Sequence, residues 1–228
     1  MNPEAPVVGT RTIDLDVNLV LAGQGLRAGA RPVACVLAAA RRAVEQGAAL
    51  IRPRFIHSAV PVVGRSTARV ELPAVSLEGE AIASALDGAD SVVAVVCTIG
   101  ESLDARVSAL LGADPLLALA FDGLGSASCE RLAAEVRAEI ARRAGAEGKC
   151  VTGPLSPGMI GWPLLDAQRE LFRLVDPTPL GVVLRPSGQM IPRKTLSFVV
   201  GVGLRVRPVT SCHACGIGNR CRYRPDHA

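Results

Sequence analysis

Aromatic side chains are scarce in this chain: one tryptophan, one tyrosine and four phenylalanines in 228 residues. Their scarcity removes the stacking platforms on which single-stranded nucleic acid is usually held, and the core must be built from Ala, Val, Leu and Ile. No apolar run reaches the roughly 20 residues needed to cross a bilayer. The opening MNPEAPVVGT has no basic region leading into an apolar one, as a secretory signal would. A cytoplasmic protein is therefore expected, with no membrane and no nucleic acid among its partners. No Ser-His-Asp arrangement, phosphate-binding loop or paired-carboxylate motif is visible in the sequence. The seven cysteines do not suggest a disulfide framework, because a reducing compartment disfavours one and the count is odd. Cysteine here signals burial or ligation.

What is present is apolar and regular. Hydrophobic residues make up 49% of the chain, enough for one large domain or two small ones. In TIDLDVNLVL, the apolar Ile13, Leu15, Val17 and Leu19 alternate with polar residues, which predicts a half-buried strand. Gly23 and Gly25 follow, but Pro32 places the next helix start some seven residues later, so a dinucleotide-binding turn is not expected. Helices are predicted after Pro32, over EGEAIASAL, over ESLDARVSALL, from Pro115 to Ala144 and over LLDAQRELFRLV. Extended segments are predicted near 54–63 and 67–72, over the β-branched SVVAVVCTIG, at GVVL and over TLSFVVGVGL. Gly123 and Gly125 suggest a close helix crossing or a break. The i,i+4 pairs Arg131 with Glu135 and Glu139 with Arg143 suggest a solvated face. KCVTGPLSPGMIGWP is too rich in proline and glycine for regular structure and reads as a loop positioned for a purpose or closing over the core. One mixed α and β domain over 1–203 is expected, with a cysteine-rich tail at 204–228.

The order CTIGESLDARVSALL, DGLGSASCERLAAEV, SPGMIGWPLLDAQRELFRLV, GVVLRPSGQMIPRKTLSFVVGVG resembles the activation domain of cobalamin-dependent methionine synthase, and most closely its short, free-standing relatives. The resemblance rests on Ser156, Pro157 and Gly158 before Trp162, Pro163 and Gln168, then Met190, Pro192 and Ser197, and it covers most of the chain. It implies an α/β fold with a curved, mainly antiparallel sheet and flanking helices. It also implies a role. The family's domain binds S-adenosylmethionine and docks over a corrinoid, so that inactive cob(II)alamin, given an electron by a donor protein, is methylated back into the cycle. Ser156, Pro157, Gly158, Met159, Met190 and Pro192 are the implied cofactor-binding positions, with cobalamin held by a partner, a corrinoid-binding protein or methyltransferase subunit. The chain departs from the pattern in one place: where the family loop has Arg, three residues, Gly, then Tyr, this sequence has Pro154, Gly158 and Met159. Proline cannot offer the charge-assisted fork with which arginine holds a carboxylate, so S-adenosylmethionine is expected to bind weakly or not at all. Arg185 and Arg193, in the adjacent turn, are candidate substitutes. At 228 residues the chain is expected to be an accessory part of a methyltransferase system at most.

The tail SCHACGIGNRCRYRPDHA carries Cys212, Cys215 and Cys221. A CxxC followed by a third thiol can present three soft ligands to an iron–sulfur cluster or to zinc. Cys97, Cys150 or a small molecule could complete a cluster, and His227 could close a zinc tetrahedron. A tail with free thiols is the remaining alternative. Arg205, Arg207, Arg220, Arg222 and Arg224 surround the motif, either as solvated charge or as a phosphate-binding patch. Two further functions follow: an iron–sulfur electron-transfer protein, or a zinc-stabilised interaction module. Cys35 and Cys129 are expected in the core, Cys97 near a functional sheet edge, and His57 as a satisfied strand residue.

Overall fold

The continuous β-branched run SVVAVVCT predicts a strand covered on both faces, and the structure is organised around that burial. In a computed structural model, which describes residues 5–26, 31–159 and 161–207, the run forms β6 (Ser91–Thr98) at the centre of a five-stranded antiparallel sheet. Its neighbours are β2 (Arg54–Pro61) and β10 (Thr195–Gly203), and the edges are β1 (Val7–Thr10) beside β2 and β7 (Cys150–Val151) beside β10. The pleat sends Val93, Val95 and Cys97 into one core and Val92, Ala94 and Val96 into another. The first core lies beneath four helices: α1 (Val17–Gly23), α2 (Ala34–Gly47), α4 (Ser102–Leu110) and α5 (Pro115–Ala146). The second lies beneath a small sheet of β3 (Gly64–Ser66), β4 (Arg69–Glu71) and β5 (Ser76–Glu78), with α3 (Glu80–Ala85) and α6 (Leu164–Leu174). A hairpin of β8 (Val183–Leu184) and β9 (Met190–Ile191) leads into β10. The expected class holds: a curled antiparallel sheet with flanking helices.

The 32-residue α5 spans the helical layer. Asp114 starts it by accepting a hydrogen bond from the Leu117 amide at 3.1 Å, with Pro115 in the first turn, where its missing N–H is harmless. Phe121, Leu117, Leu124 and Leu132 on its inner stripe are fully buried, and truncating such a phenylalanine typically costs about 3–5 kcal/mol. Gly123 marks a crossing, not a break. A side chain there would come within 2.9 Å of the Val20 carbonyl oxygen on α1, and one on Gly23 would overlap the Gly123 carbonyl. Helix α2 runs beside α5 in the same direction: Arg42 pairs with Asp114 at 2.9 Å, and Gly47 packs on Leu124.

Three expectations need correction. TIDLDVNLVL is not a strand: Asp16 caps α1 by accepting from the Leu19 amide at 2.8 Å, so Val17 onward is helical, and the edge strand lies earlier, at β1. Only four alternating apolar residues supported the strand, and the local cap together with the Gly23–Gly123 contact outweighs them. Cys35 is exposed in the first turn of α2, because that turn projects beyond the packed stripe of Ala39, Ala40 and Ala43. Cys97 does not reach an open sheet edge: its register on β6 points it into the helical core, where it is fully buried.

Candidate functional site

The loop that carries the motif is anchored to the middle of β10. Leu155 and Val199 exchange backbone hydrogen bonds at 2.9 Å, and the Thr152 hydroxyl accepts from the Gly201 amide at 2.9 Å. Beyond this anchor the chain turns tightly: the Met159 amide donates to the Ser156 carbonyl at 3.2 Å, and the Ser156 amide reaches the Met159 sulfur at 3.0 Å. Gly158 sits at φ +89°, a conformation costly for any residue with a Cβ. Trp162 closes the turn, accepting from the Gly158 amide at 3.0 Å and donating its own amide to Met159 at 2.9 Å. Its buried indole donates to Glu170 at 3.3 Å. Burial raises the Glu170 pKa, and the indole hydrogen bond opposes that shift.

Gln168 explains why Met190 and Ser197 belong to the same constellation. Its buried amide accepts from the Ser197 hydroxyl at 3.0 Å and donates toward the Met190 sulfur at 3.5 Å. Pro192 is buried beside this network, its carbonyl accepting from the Thr195 hydroxyl at 2.7 Å, and the Ile191–Pro192 bond is cis. Leu164, at the start of α6, packs between the two turns: its side chain lies within 3.6–3.7 Å of where side chains on Gly158 and Gly188 would begin. Gly158 and Gly188 thus flank Leu164 at the N-terminal end of α6, and Met159 and Met190 rest on the second core.

Two adjoining clefts open between α5 and the start of β10. The smaller, about 150 Å³, is lined by Pro154 and Ser156 from the loop, by Leu196 and Phe198, and by Glu130 and Arg137 from α5. The larger, about 730 Å³, shares Glu130, Ala134 and Leu196 with it and extends past Arg193 and Lys194 to Leu19, Ala22 and Gly23. Of the six predicted cofactor-binding residues, Ser156 lines this groove. The cations around it are not equivalent. Lys194 is held by Asp122 at 2.7 Å and Ser126 at 2.9 Å, and Arg193 faces Asp104 at 3.6 Å. Arg131 and Arg137 have no ion-pair partner among the described residues; the expected Arg131–Glu135 pair does not form, whereas Glu139 does pair with Arg143 and also with Arg11. Arg185 lies in the β8–β9 turn, outside the groove. Desolvation by the groove walls raises the pKa of Glu130, although the residue as a whole is exposed and solvent screens its charge. Cys129 also borders the groove; burial first, and the neighbouring Glu130 charge second, push its thiol up to about 12, so it stays protonated. Burial, reinforced by Cys129, raises Cys97 well above its ordinary value.

Sequence reasoning missed Glu130 and Arg137. They lie seven residues apart on α5, on one stripe with Ala133 and Ala134, and that i, i+3, i+4, i+7 spacing was the available signal. Another cleft, about 480 Å³, lies at the opposite end of the sheet, lined by Arg65, Asp87, Gly88, Asp90, Arg205 and Arg207. No group of three or more metal-ligating side chains occurs among the described residues. Cys212, Cys215, Cys221 and His227 lie outside them.

No family model and no curated protein matches the sequence. Among solved structures, the crystal structure of the MetH reactivation domain bound to AdoHcy aligns with a TM-score of 0.65 over 91% of this chain and 81% of that one, at 14% identity. The chain has the fold of the MetH reactivation domain. At so low an identity the likeness concerns backbone architecture, and the side chains that differ carry the functional argument. The chain's own version of that fold offers a loop without a basic side chain at Pro154, a methionine at 159 folded back on Ser156, and a groove whose unpaired arginines come from α5. No helix among the described residues is long and apolar enough to cross a membrane.

Proposed function

We propose that this chain assists the reductive reactivation of a corrinoid protein. It would dock on a partner that holds the cobalamin and support the return of inactive cob(II)alamin to its methylated form, with the electron coming from a donor protein and the methyl group from S-adenosylmethionine. The observation that supports this reading is the alignment of nearly the whole chain with the MetH reactivation domain, a protein crystallised with AdoHcy, together with a groove beside the SPG turn.

In this reading the residues of the chain bind and position. The Leu155–Val199 anchor fixes the turn, and the Ser197–Gln168–Met190 network fixes the hairpin opposite it. A carboxylate-bearing ligand in the groove would meet Arg137, which stands across the smaller cleft from Pro154, where the family's arginine would lie. One cation, unaided by the loop, makes for weak binding. The test uses a cobalamin-loaded corrinoid methyl-carrier protein, a reductant and S-adenosylmethionine, with the cob(II)alamin absorbance followed in time. The full chain should accelerate its disappearance and co-sediment with the carrier; neither effect, across several carriers, would reject the role.

A further inference from the structure

The end of the sheet opposite the groove gathers three arginines from separate parts of the chain, and the corrinoid role uses none of them. We propose that they form an anion site that takes a phosphate dianion, free or carried as the ester of a small polar molecule. The site lies apart from the groove and does not depend on the proposed corrinoid role.

Two adjoining clefts, about 480 and about 660 Å³, share Arg65, Asp87, Arg205 and Arg207. Arg65 comes from β3, Asp87 from the turn between α3 and β6, and the other two arginines from the segment that follows β10. That turn and that segment are interlocked. Gly88 sits at φ +77°, and a side chain there would come within 2.8 Å of the Arg205 carbonyl oxygen, while the Asp90 amide donates to the Val202 carbonyl at 2.8 Å. Arg65 ties in the third side, donating to the Ala89 carbonyl and to Asp87 at 3.4 Å. Val206 is buried, so Arg205 and Arg207 on either side of it project outward and are exposed. The walls are held by contacts of the protein itself, so no ligand is needed to assemble them.

The charges in the clefts are unbalanced in one direction. The larger cleft sets three guanidiniums against a single carboxylate, Asp87, which Arg65 already pairs; Asp90 borders the smaller cleft alone. Arg205 and Arg207 have no ion-pair partner among the described residues. Like charges lining one cleft repel each other, and an anion between them relieves the repulsion. Guanidinium forks that converge from separate segments suit a tetrahedral oxyanion, with three or more accepting oxygens, better than a planar carboxylate with two. Thr67 and Ser84 add hydroxyl donors to the wall of the larger cleft. Among the described residues no aromatic ring lines either cleft, so a stacked base is not part of the fit.

The experiment titrates the full chain by calorimetry, at low salt, with inorganic phosphate, glycerol 3-phosphate, acetate and a glutamate oligopeptide. Inorganic phosphate and its ester should bind and acetate should not. Tighter binding of the ester assigns the site to a phosphorylated small molecule, and binding no tighter than that of the free ion assigns it to phosphate itself. Arg205→Gln and Arg207→Gln, at exposed and unpaired positions, should each weaken phosphate binding about tenfold, and the double variant should abolish it. Arg41→Gln, exposed on α2 in the opposite layer, should bind as wild type does. Circular dichroism of each variant confirms the fold. Absence of phosphate binding by wild type overturns the inference, as does binding that the double variant retains. Binding of the glutamate peptide in preference to both phosphates also overturns it and makes the cleft a surface for an acidic protein instead.

Discussion

The substitution Gly23→Ala tests the helical layer most directly. Gly23 ends α1 where that helix crosses α5, and a methyl group placed there overlaps the Gly123 carbonyl oxygen, a backbone atom that cannot rotate aside. Helix α1 must therefore retreat, disturbing Val20, which is fully buried beneath it. Forcing an extra methylene into a packed site costs about 1–3 kcal/mol, and alanine's better helix propensity returns only about 0.5–1 kcal/mol. A net loss of about 1 kcal/mol is expected, equivalent to a Tm lower by roughly 2–4 °C for a domain of this size. Gly145→Ala, in the last turn of α5, has nothing within 4 Å of the added carbon and should instead be neutral or stabilising by up to ~1 kcal/mol. Urea unfolding with the two variants beside wild type gives both signs in one experiment, provided the m-values agree. A Gly23→Ala protein as stable as wild type would show that α1 does not cross α5 at Gly123. Since Leu19, Ala22 and Gly23 wall the larger cleft, the reading of the groove would fall with it.

Three further predictions concern the site. Ser197→Ala leaves the buried Gln168 carbonyl without its 3.0 Å donor and should cost about 1–3 kcal/mol in denaturant unfolding, whereas adding Gln168→Leu should recover much of that loss; an additive double variant would refute the coupling. Because the Glu130 pKa is raised on folding, its favourable contribution is present below its ordinary value of 4.5 and is lost as pH rises through the folded value. Glu130→Gln should therefore gain stability relative to wild type between pH 4 and 7, by under about 1 kcal/mol because solvent screens the group; a relative loss over that range would contradict the desolvation. Calorimetry with S-adenosylmethionine or AdoHcy should show binding weaker than micromolar, and Arg137→Ala should weaken it at least tenfold further. Micromolar binding by wild type, or binding indifferent to Arg137, would overturn the account of the groove.

The long elements were legible in the sequence because burial and periodicity agree in them. SVVAVVCT has no polar residue between Ser91 and Thr98 and lies between two cores, and the span from Asp114 carries a cap, a proline start and an apolar stripe. Short elements were not legible. The three residues of β5 and the two of β7 are strands only because β4 and β10 pair with them, a fact of topology with no local signal. At α1, local chemistry was present and was outvoted: Asp16 three residues before Leu19 is a capping arrangement, hidden by an alternation that ran through it. The motif turn was visible as an irregular loop at Ser156, Pro157 and Gly158, but its partners on α5 were not. Glu130 and Arg137 are ordinary helix-surface residues until β10 and the loop close the groove against them.

Strand β10 runs from the groove to the opposite end of the sheet. Its first residues, Thr195 and Leu196, border the groove, its middle residue Val199 anchors the SPG turn, and its last, Gly203, faces Cys150. At about 3.4 Å per residue, the groove end and the Cys150 end lie some 25 Å apart, with both faces of the strand packed in between. Val199 anchors the SPG turn from the second core, so Val199→Ala should cost about 1–3 kcal/mol in denaturant unfolding and loosen the turn at Leu155; an unchanged unfolding midpoint would show that the anchor does not rest on this packing.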